Sequence, residues 1–370
     1  MKTIRMVKPV SVGLLTIAAF CFTPAITARG GTTYLFVGAD SRGNYQDVKN
    51  WQDAAGNSPT YAPTDANCNP DDTYVVKDGK RTRDEGAGYA NMQIYGRVVY
   101  GEIGGTAGYH TEESQYPRSL GAKIDFCHPD GVTFANGAYT ANNSATSEEW
   151  GNRVMGKITI TAPATAPFVF TTSNSTDGRY IYFENSFESL ESAGMKFDDS
   201  GRGNWQFKGS LSDYRGSMTF AKPGSTVLFG TDSGTIDLDA LSFASSMTVT
   251  VENVSAPLKA KTLTLGDGTV FNLSAGTEGD DLSVASLEAE SLALEGAITL
   301  RIASMPRIPC GVSEVRLVTV KQGTLDVSKF SLDIAGSGAR HCKGLRVDET
   351  EEGTALVAVF EHPGLMLLVK

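Results

Sequence analysis

Residues 247–251 read Met-Thr-Val-Thr-Val, residues 261–265 read Lys-Thr-Leu-Thr-Leu, and residues 269–273 read Thr-Val-Phe-Asn-Leu. These runs belong to a longer pattern from Gly216 to Ile302, in which short stretches of alternating apolar and polar residues end at Gly, Asp, Asn or Ser. Alternation with a period of two is typical of a strand with one buried face, and the closing residues are turn formers. The pattern predicts an all-β chain of short strands joined by tight turns.

The spacing of these strands favours a β-solenoid. Strands begin about every ten residues, so two or three of them would form a coil of roughly twenty to thirty residues, within the period range of solenoids. One coil cannot bury its apolar face alone, whereas stacked coils can. A β-sandwich has similar strand spacing and remains the alternative fold. The side chains expected to point inward are Leu263, Leu265, Phe271, Leu273, Val284, Leu292, Leu294, Ile298, Leu300 and Ile302.

Beyond the first 28 residues, the chain divides into three segments by composition. Residues 29–165 are predicted to form an irregular N-terminal β region with long polar loops at 40–72 and 131–152, and residues 166–305 the solenoid coils. Residues 306–370 are predicted to form a C-terminal β cap, because the last coil of a solenoid presents an open strand edge. Loops commonly carry binding residues, so we expect recognition in the loops of the N-terminal region.

The first 28 residues have the three regions of a secretory signal peptide. Lys2, Arg5 and Lys8 supply the positive start, the apolar stretch 12–22 follows, and small residues close the segment at Ala28. The apolar stretch is too short to span a bilayer stably. We predict cleavage after Ala28 and a secreted or cell-surface protein whose mature form has no integral membrane segment.

The net charge argues against a nucleic-acid partner. Loss of residues 1–28 would move the formal net charge from −10 to −13, because that segment contains three basic residues and no acidic one. Attraction to phosphate dominates the affinity of proteins for nucleic acids, and an acidic chain lacks it.

The cysteines predict disulfides. Four cysteines remain after residue 28, namely Cys68, Cys127, Cys310 and Cys342, and an even number in an exported chain favours bridges. Four cysteines permit three connectivities, of which proximity favours Cys68 with Cys127 and Cys310 with Cys342. No CxxC pair or histidine cluster accompanies them, so a metal site is not predicted.

Three segments of the chain combine a short run of β-forming residues with an adjacent glycine. Residues 34–38 read Tyr-Leu-Phe-Val-Gly, residues 205–211 read Trp-Gln-Phe-Lys-Gly-Ser-Leu, and residues 353–360 read Gly-Thr-Ala-Leu-Val-Ala-Val-Phe. In these parts the chain resembles exported bacterial β-helical proteins of the autotransporter-passenger, adhesin-like type. The resemblance implies a right-handed β-helix displayed outside the cytoplasm, often of adhesive or structural use, and supplies no catalytic residues. We expect the chain to lack the membrane β-barrel of that family, since no long series of alternating strands follows.

One loop has the spacing of a calcium site. Asp65, Asn67, Asn69 and Asp71 place oxygen-bearing side chains at alternate positions, as a calcium loop does. Pro70 stands where an EF-hand has its turn glycine. A solvated turn is therefore favoured, no cofactor is predicted, and calcium is kept as the weaker alternative.

Asp198, Asp199 and Arg202 are the best candidates for catalysis. Carboxylates beside an arginine could bind a uronate and assist proton abstraction, as in a polysaccharide lyase or glycosidase. However, adjacent aspartates in a strand point to opposite faces, and beside Gly201 they favour a turn. We therefore predict a protein that is not an enzyme.

Trp51 and Trp150 are the remaining ligand candidates, because tryptophan can stack on sugar rings, although burial under a loop or cap is favoured for each. The main prediction is a secreted or cell-surface, non-catalytic structural or adhesin-like solenoid whose partner is a glycan or a host or matrix surface. A carbohydrate-active β-helix enzyme and a carbohydrate-binding module are the alternatives.

Overall fold

The computed structural model describes residues 30–38, 46–76, 92–101, 108–110, 123–135, 138–141, 152–172, 179–184, 186–189, 192–198, 203–278, 281–306, 308, 311–335, 339–351 and 353–362. The predicted signal peptide lies outside these ranges. Short 3-10 helices occur at Val48–Asn50, Thr231–Ser233 and Val327–Lys329. Among the described residues, no helix has the length and apolar character needed to cross a bilayer.

The strands, numbered in chain order, are β1 (Thr33–Phe36), β2 (Trp51–Gln52), β3 (Thr73–Val76), β4 (Met92–Ile94), β5 (Arg97–Tyr100), β6 (Gly108–His110), β7 (Lys123–Phe126), β8 (Val132–Phe134), β9 (Ala138–Ala141), β10 (Asn152–Met155), β11 (Ile158–Ile160), β12 (Phe168–Thr172), β13 (Arg179–Phe183), β14 (Phe187–Ser189), β15 (Gly194–Phe197), β16 (Gly203–Phe207), β17 (Ser217–Phe220), β18 (Thr226–Phe229), β19 (Ile236–Phe243), β20 (Thr248–Val251), β21 (Leu258–Leu265), β22 (Val270–Leu273), β23 (Ala275–Glu278), β24 (Asp281–Val284), β25 (Leu287–Leu294), β26 (Ile298–Ile302), β27 (Gly311–Gln322), β28 (Phe330–Ile334), β29 (Cys342–Thr350) and β30 (Gly353–His362).

Three large sheets run along the molecule. Sheet 1 has seven strands in the order β14-β11-β8-β5-β3-β1-β2, and sheet 2 has ten in the order β28-β26-β22-β20-β18-β16-β13-β10-β7-β4. Sheet 3 has eleven in the order β29-β30-β27-β25-β21-β19-β17-β15-β12-β9-β6. Neighbouring strands pair in parallel over most of each sheet, so each coil lies on the one before it. The predicted all-β solenoid is confirmed, and the sandwich alternative is wrong.

The coils change form along the chain. Those of the N-terminal half pass through all three sheets, as β10, β11 and β12 do, whereas sheet 1 ends at β14 and later coils alternate between sheets 2 and 3. Parallel pairing already begins at β1, β3 and β5, within the segment 29–165 that was expected to be irregular. The predicted loop 131–152 is also wrong in part, because β8 and β9 lie in it.

Columns of stacked rings fill the middle of the core. In sheet 3, Phe170, Phe197, Phe220 and Phe243 stack on successive coils, with ring centroids 5.3, 4.6 and 5.3 Å apart. Parallel in-register pairing puts the same inward position of each strand above the next. Such ring pairs contribute about 0.5–1.5 kcal/mol each beyond area burial.

The inward positions predicted from alternation hold in the later coils. Eight of the ten predicted side chains are buried, while Leu292 and Leu294 are half-buried and pack against the core. Alternation therefore identified the interior face of these strands, because successive side chains of a strand point to opposite faces.

Antiparallel strands lie at both ends of the stack. At the N-terminal end, β2 pairs antiparallel with β1, which brings Trp51 opposite Phe36. At the other end, β30 pairs antiparallel with both β27 and β29. These strands cover parallel edges that would otherwise be open to pairing with other chains.

Candidate functional site

A cleft of about 630 Å³ lies at the N-terminal end of the solenoid. Its volume is within the range of about 300–1,000 Å³ found for small-molecule sites. The loop between β2 and β3 forms one wall, and the end of β4 with the residue that follows forms the other. The lining residues are Gln46, Val48, Thr60, Tyr61, Ala62, Thr64, Asp65, Ala66, Gln93 and Tyr95.

Backbone hydrogen bonds fix the loop wall of this cleft. The amides of Tyr95 and Gly96 donate to the carbonyl oxygen of Pro63 at 2.8 and 2.9 Å. Within the loop, the Asp65 amide donates to Ala62 at 2.9 Å. The loop is thus tied to the coil below it, which lowers the entropy that a ligand would have to remove on binding.

Tyr74 anchors the same loop from inside the core. Its hydroxyl donates to the carbonyl oxygen of Tyr61 at 3.1 Å, and its ring lies edge-on to Trp51 at 5.2 Å. Burial is the main cause that raises the pKa of Tyr74, so the phenol stays neutral and remains a donor. A Cβ at Gly96 would stand 2.6 Å from the Tyr74 ring, so this close approach requires glycine.

Two tyrosines give the cleft its aromatic surface. Tyr61 is 42% exposed, so part of its surface is open to a ligand. Tyr95 is half-buried, and its hydroxyl donates to Oε1 of Gln93 at 2.8 Å. This bond occupies the Gln93 carbonyl and leaves its amide N–H groups as donors toward a ligand.

Asp65 supplies the charge of the cleft. Its Oδ1 accepts the backbone amide of Asn67 at 2.8 Å and the Asn67 side-chain amide at 3.0 Å. The other described lining residues contribute amide and hydroxyl groups from Gln46, Thr60, Thr64 and Gln93. Groups of these kinds exchange hydrogen bonds with polar ligands.

Of the two tryptophan candidates, Trp51 is fully buried. It packs edge-on against Phe36 at 5.0 Å and helps to close the first coil, so it has no ring face to offer a sugar. Its proposal as a ligand residue is wrong for this reason. Trp150 lies outside the described residues.

Asp198 follows β15 and forms an ion pair with Lys196, two residues earlier on the same outward face. Its backbone amide donates to Phe170 at 2.9 Å and continues the stacking of coils. Asp199 and Arg202 lie outside the described residues, so the predicted catalytic cluster stays a prediction.

The residues of the calcium hypothesis form turns. Asp65 accepts from Asn67, and the Asn69 side chain accepts the Asp71 amide at 3.1 Å and donates to Asp72 at 3.0 Å. These local bonds explain the alternate spacing without a cation, because Asp and Asn commonly close such turns. Among the described residues, no group of three or more His, Cys, Asp and Glu side chains converges.

The predicted Cys68–Cys127 disulfide is absent from the structure. Cys68 is a buried free thiol, and its burial together with nearby Asp65 raises the pKa of that thiol. Cys127 is exposed, with its Sγ 3.6 Å from the Asp125 carbonyl oxygen. Cys342 is also a free thiol, while its predicted partner Cys310 lies outside the described residues.

Comparison of the chain with protein-family models, curated proteins and solved structures finds no match in any of the three. The autotransporter-type resemblance therefore stays a prediction, although the β-solenoid agrees with it. Sequence reasoning placed recognition in the loop 40–72 but did not single out Tyr61 or Tyr95. The available signal was an aromatic residue between Pro59 and Pro63, in a loop whose neighbours are polar.

Proposed function

We propose that this protein is a secreted or cell-surface, non-catalytic, adhesin-like β-solenoid that binds a neutral glycan in its N-terminal cleft. The observation that carries the proposal is the exposed ring of Tyr61 on a fixed loop, beside hydroxyl, amide and carboxylate groups. The predicted signal peptide supports the location outside the cytoplasm.

The chemistry of the cleft matches the two sides of a sugar. The apolar face of a sugar ring packs on an aromatic ring, which offers large contact area at low entropic cost. The hydroxyl groups would exchange hydrogen bonds with the Gln93 amide, the hydroxyls of Thr60 and Thr64, and the Asp65 carboxylate. The rigid stack of coils would hold this cleft at one end of an elongated body.

A neutral-oligosaccharide array probed with the exported chain tests the proposal. Tyr61→Ala should weaken binding at least about tenfold, which corresponds to ~1.4 kcal/mol, because the stacking surface is lost. The matched control is Val312→Ala, which truncates a 65% exposed apolar side chain on β27 at the far end of the solenoid.

Unchanged binding by Tyr61→Ala would contradict the cleft assignment. The same incubations distinguish binding from catalysis, because a binding protein returns its glycans intact. New reducing ends or unsaturated uronates would favour the enzyme alternative instead.

A further inference from the structure

The outward face of sheet 2 between β16 and β22 carries a second surface with an unusual composition. Trp205, Phe207 and their equivalents point into the core, so the intervening positions face outward. All eight outward positions are uncharged. They are Asn204, Gln206, Thr226, Leu228, Thr248, Thr250, Val270 and Asn272, here called the polar strip.

Parallel register arranges the polar strip as two straight columns. Asn204 pairs with Thr226, and Gln206 with Leu228, and the same alignment continues through β20 and β22. Rows in such a sheet are about 4.8 Å apart. Six of the eight side chains of the strip carry hydroxyl or amide groups, and Leu228 and Val270 place one apolar side chain in each column.

Three acceptor oxygens in the polar strip have no hydrogen-bond donor. They are Oε1 of Gln206, Oγ1 of Thr226 and Oδ1 of Asn272. The amide nitrogens are already used inside the strip, since Gln206 Nε2 donates to Asn204 Oδ1 and Asn272 Nδ2 donates to Thr250 Oγ1, both at 3.3 Å. Gln206 is only 4% exposed, and a buried acceptor without a donor destabilises a folded protein.

Charged groups lie at the two ends of the polar strip and not within it. On one side, the Arg153 guanidinium covers the ring of Tyr182 at 4.9 Å. On the other, Arg301 donates to Asp333 at 2.7 Å. The Lys208 ammonium, directly after β16, lies 4.7 Å from the centre of the Tyr182 ring, so the strip has a cation at its edge. Its eight positions are uncharged, and a neutral ligand would lose little solvation free energy on them.

The outward face of sheet 3 differs from the polar strip in its hydrogen bonding and in its charge. Its hydroxyl side chains, such as Thr219, Ser242 and Thr264, include no buried acceptor without a partner among the described residues. It also carries charges of alternating sign on successive coils, for example Lys259 beside Glu288. The unpaired acceptors are thus a property of the polar strip and not of every coil face.

We propose that the polar strip binds a neutral, hydroxyl-rich polysaccharide that lies along the solenoid axis. The hydroxyl groups of the polymer donate to the unpaired oxygens of Thr226 and Asn272, whereas Gln206, at 4% exposure, lies too deep to contact it. Thr226 and Asn272 are half-exposed, so small side-chain rotations bring their oxygens to the surface. A polymer is favoured over a small ligand because the array is flat and repetitive. This site is separate from the cleft and does not depend on the function proposed for it.

Affinity electrophoresis of the exported chain through gels containing mannan, amylose or a soluble β-glucan tests the proposal, with hyaluronate as the anionic probe. The double variant Gln206→Met with Asn272→Leu removes two acceptors while keeping side-chain size. It should lose at least tenfold in affinity for the neutral polymer that retards the parent. Thr264→Val on sheet 3 should leave that retardation unchanged. The loss caused by the double variant should persist when both chains also carry Tyr61→Ala, so that a failure of the polar strip is distinguished from a failure of the cleft.

Stability gives a second readout. The double variant should melt close to the temperature of the parent, because it removes two buried acceptors that have no donor together with two long hydrogen bonds, to Asn204 and Thr250. Several results would overturn the proposal: no retardation of the parent by any neutral polymer, equal retardation of parent and double variant, or preference for hyaluronate. Sedimentation that shows a parent dimer and a monomeric double variant would also overturn it, since a second copy would then cover the strip.

Discussion

The N-terminal and C-terminal halves of this solenoid both consist of stacked coils, but the connections between their strands differ in length. The loop between β2 and β3 is long enough to fold back and wall a cleft, whereas β20 and β21, like their successors, are joined by short turns. Both halves keep parallel, in-register strands and a continuous core. The length of the connections can therefore differ between coils while the inward columns are preserved.

The largest effect is expected where the two kinds of coil meet. Phe220→Ala removes a ring that stacks on Phe197 at 4.6 Å and on Phe243 at 5.3 Å. We expect a loss of about 3–5 kcal/mol in unfolding free energy, measured by urea denaturation, because a buried ring leaves a cavity. Leu292→Ala, at a half-buried position, is the control.

Equal losses for Phe220→Ala and Leu292→Ala would contradict the importance of the ring column for joining the two halves. Two separate transitions in the Phe220→Ala variant would sharpen the comparison instead, since coils that contact only their neighbours unfold separately once one interface is weak.

A medium effect, confined to the cleft half, is expected from Tyr74→Phe. At pH 8 this variant should lose about 1 kcal/mol, because the bond to the Tyr61 carbonyl oxygen is removed. Folding raises the pKa of Tyr74 above its ordinary value of about 10, so its contribution is complete below pH ~10 and is lost as the pH rises further.

The stability gap between the parent and Tyr74→Phe should therefore shrink from pH 8 to pH 11 in matched denaturation curves. Tyr61→Phe is the control, since it removes one hydroxyl from an exposed tyrosine of the same loop. A gap that widens with pH would contradict the neutral, buried state of Tyr74.

The smallest effect concerns the charges on the outer faces. Glu288 lies between Lys259 at 3.1 Å and Lys321 at 3.4 Å in the C-terminal half. Glu288→Gln should cost about 0.2–1 kcal/mol, and 1 M salt should reduce the loss, because such pairs are screened. In the N-terminal half, Glu188→Gln breaks the pair with Lys157 at 2.8 Å and is the comparison. A loss that is insensitive to salt in either half would show that packing, and not charge, is responsible.

The sequence predicted the fold more accurately than it predicted the residues of the candidate site. Alternation correctly assigned inward positions such as Leu263 and Phe271, since the direction of a side chain in a strand follows from its place in the chain. For Trp51 the sequence favoured burial and kept sugar stacking as the alternative, because residue type alone cannot distinguish a buried ring from an exposed one; the structure buries it. It also paired Cys68 with Cys127 by proximity in sequence, which says nothing about the geometry that a disulfide needs.

Three properties of this chain follow from the sequence alone: its strands are short, one face of each strand is apolar, and turns recur often enough to form coils. These properties are local, because they depend on the pleat of a strand and on the residues that end it. Only the tertiary structure decided which strands stack, and so brought Tyr61 beside Tyr95 and aligned Gln206, Thr226 and Asn272 on one face. These neighbours are set by coil-to-coil register, which depends on the length of every intervening connection and on contacts between residues far apart in the chain.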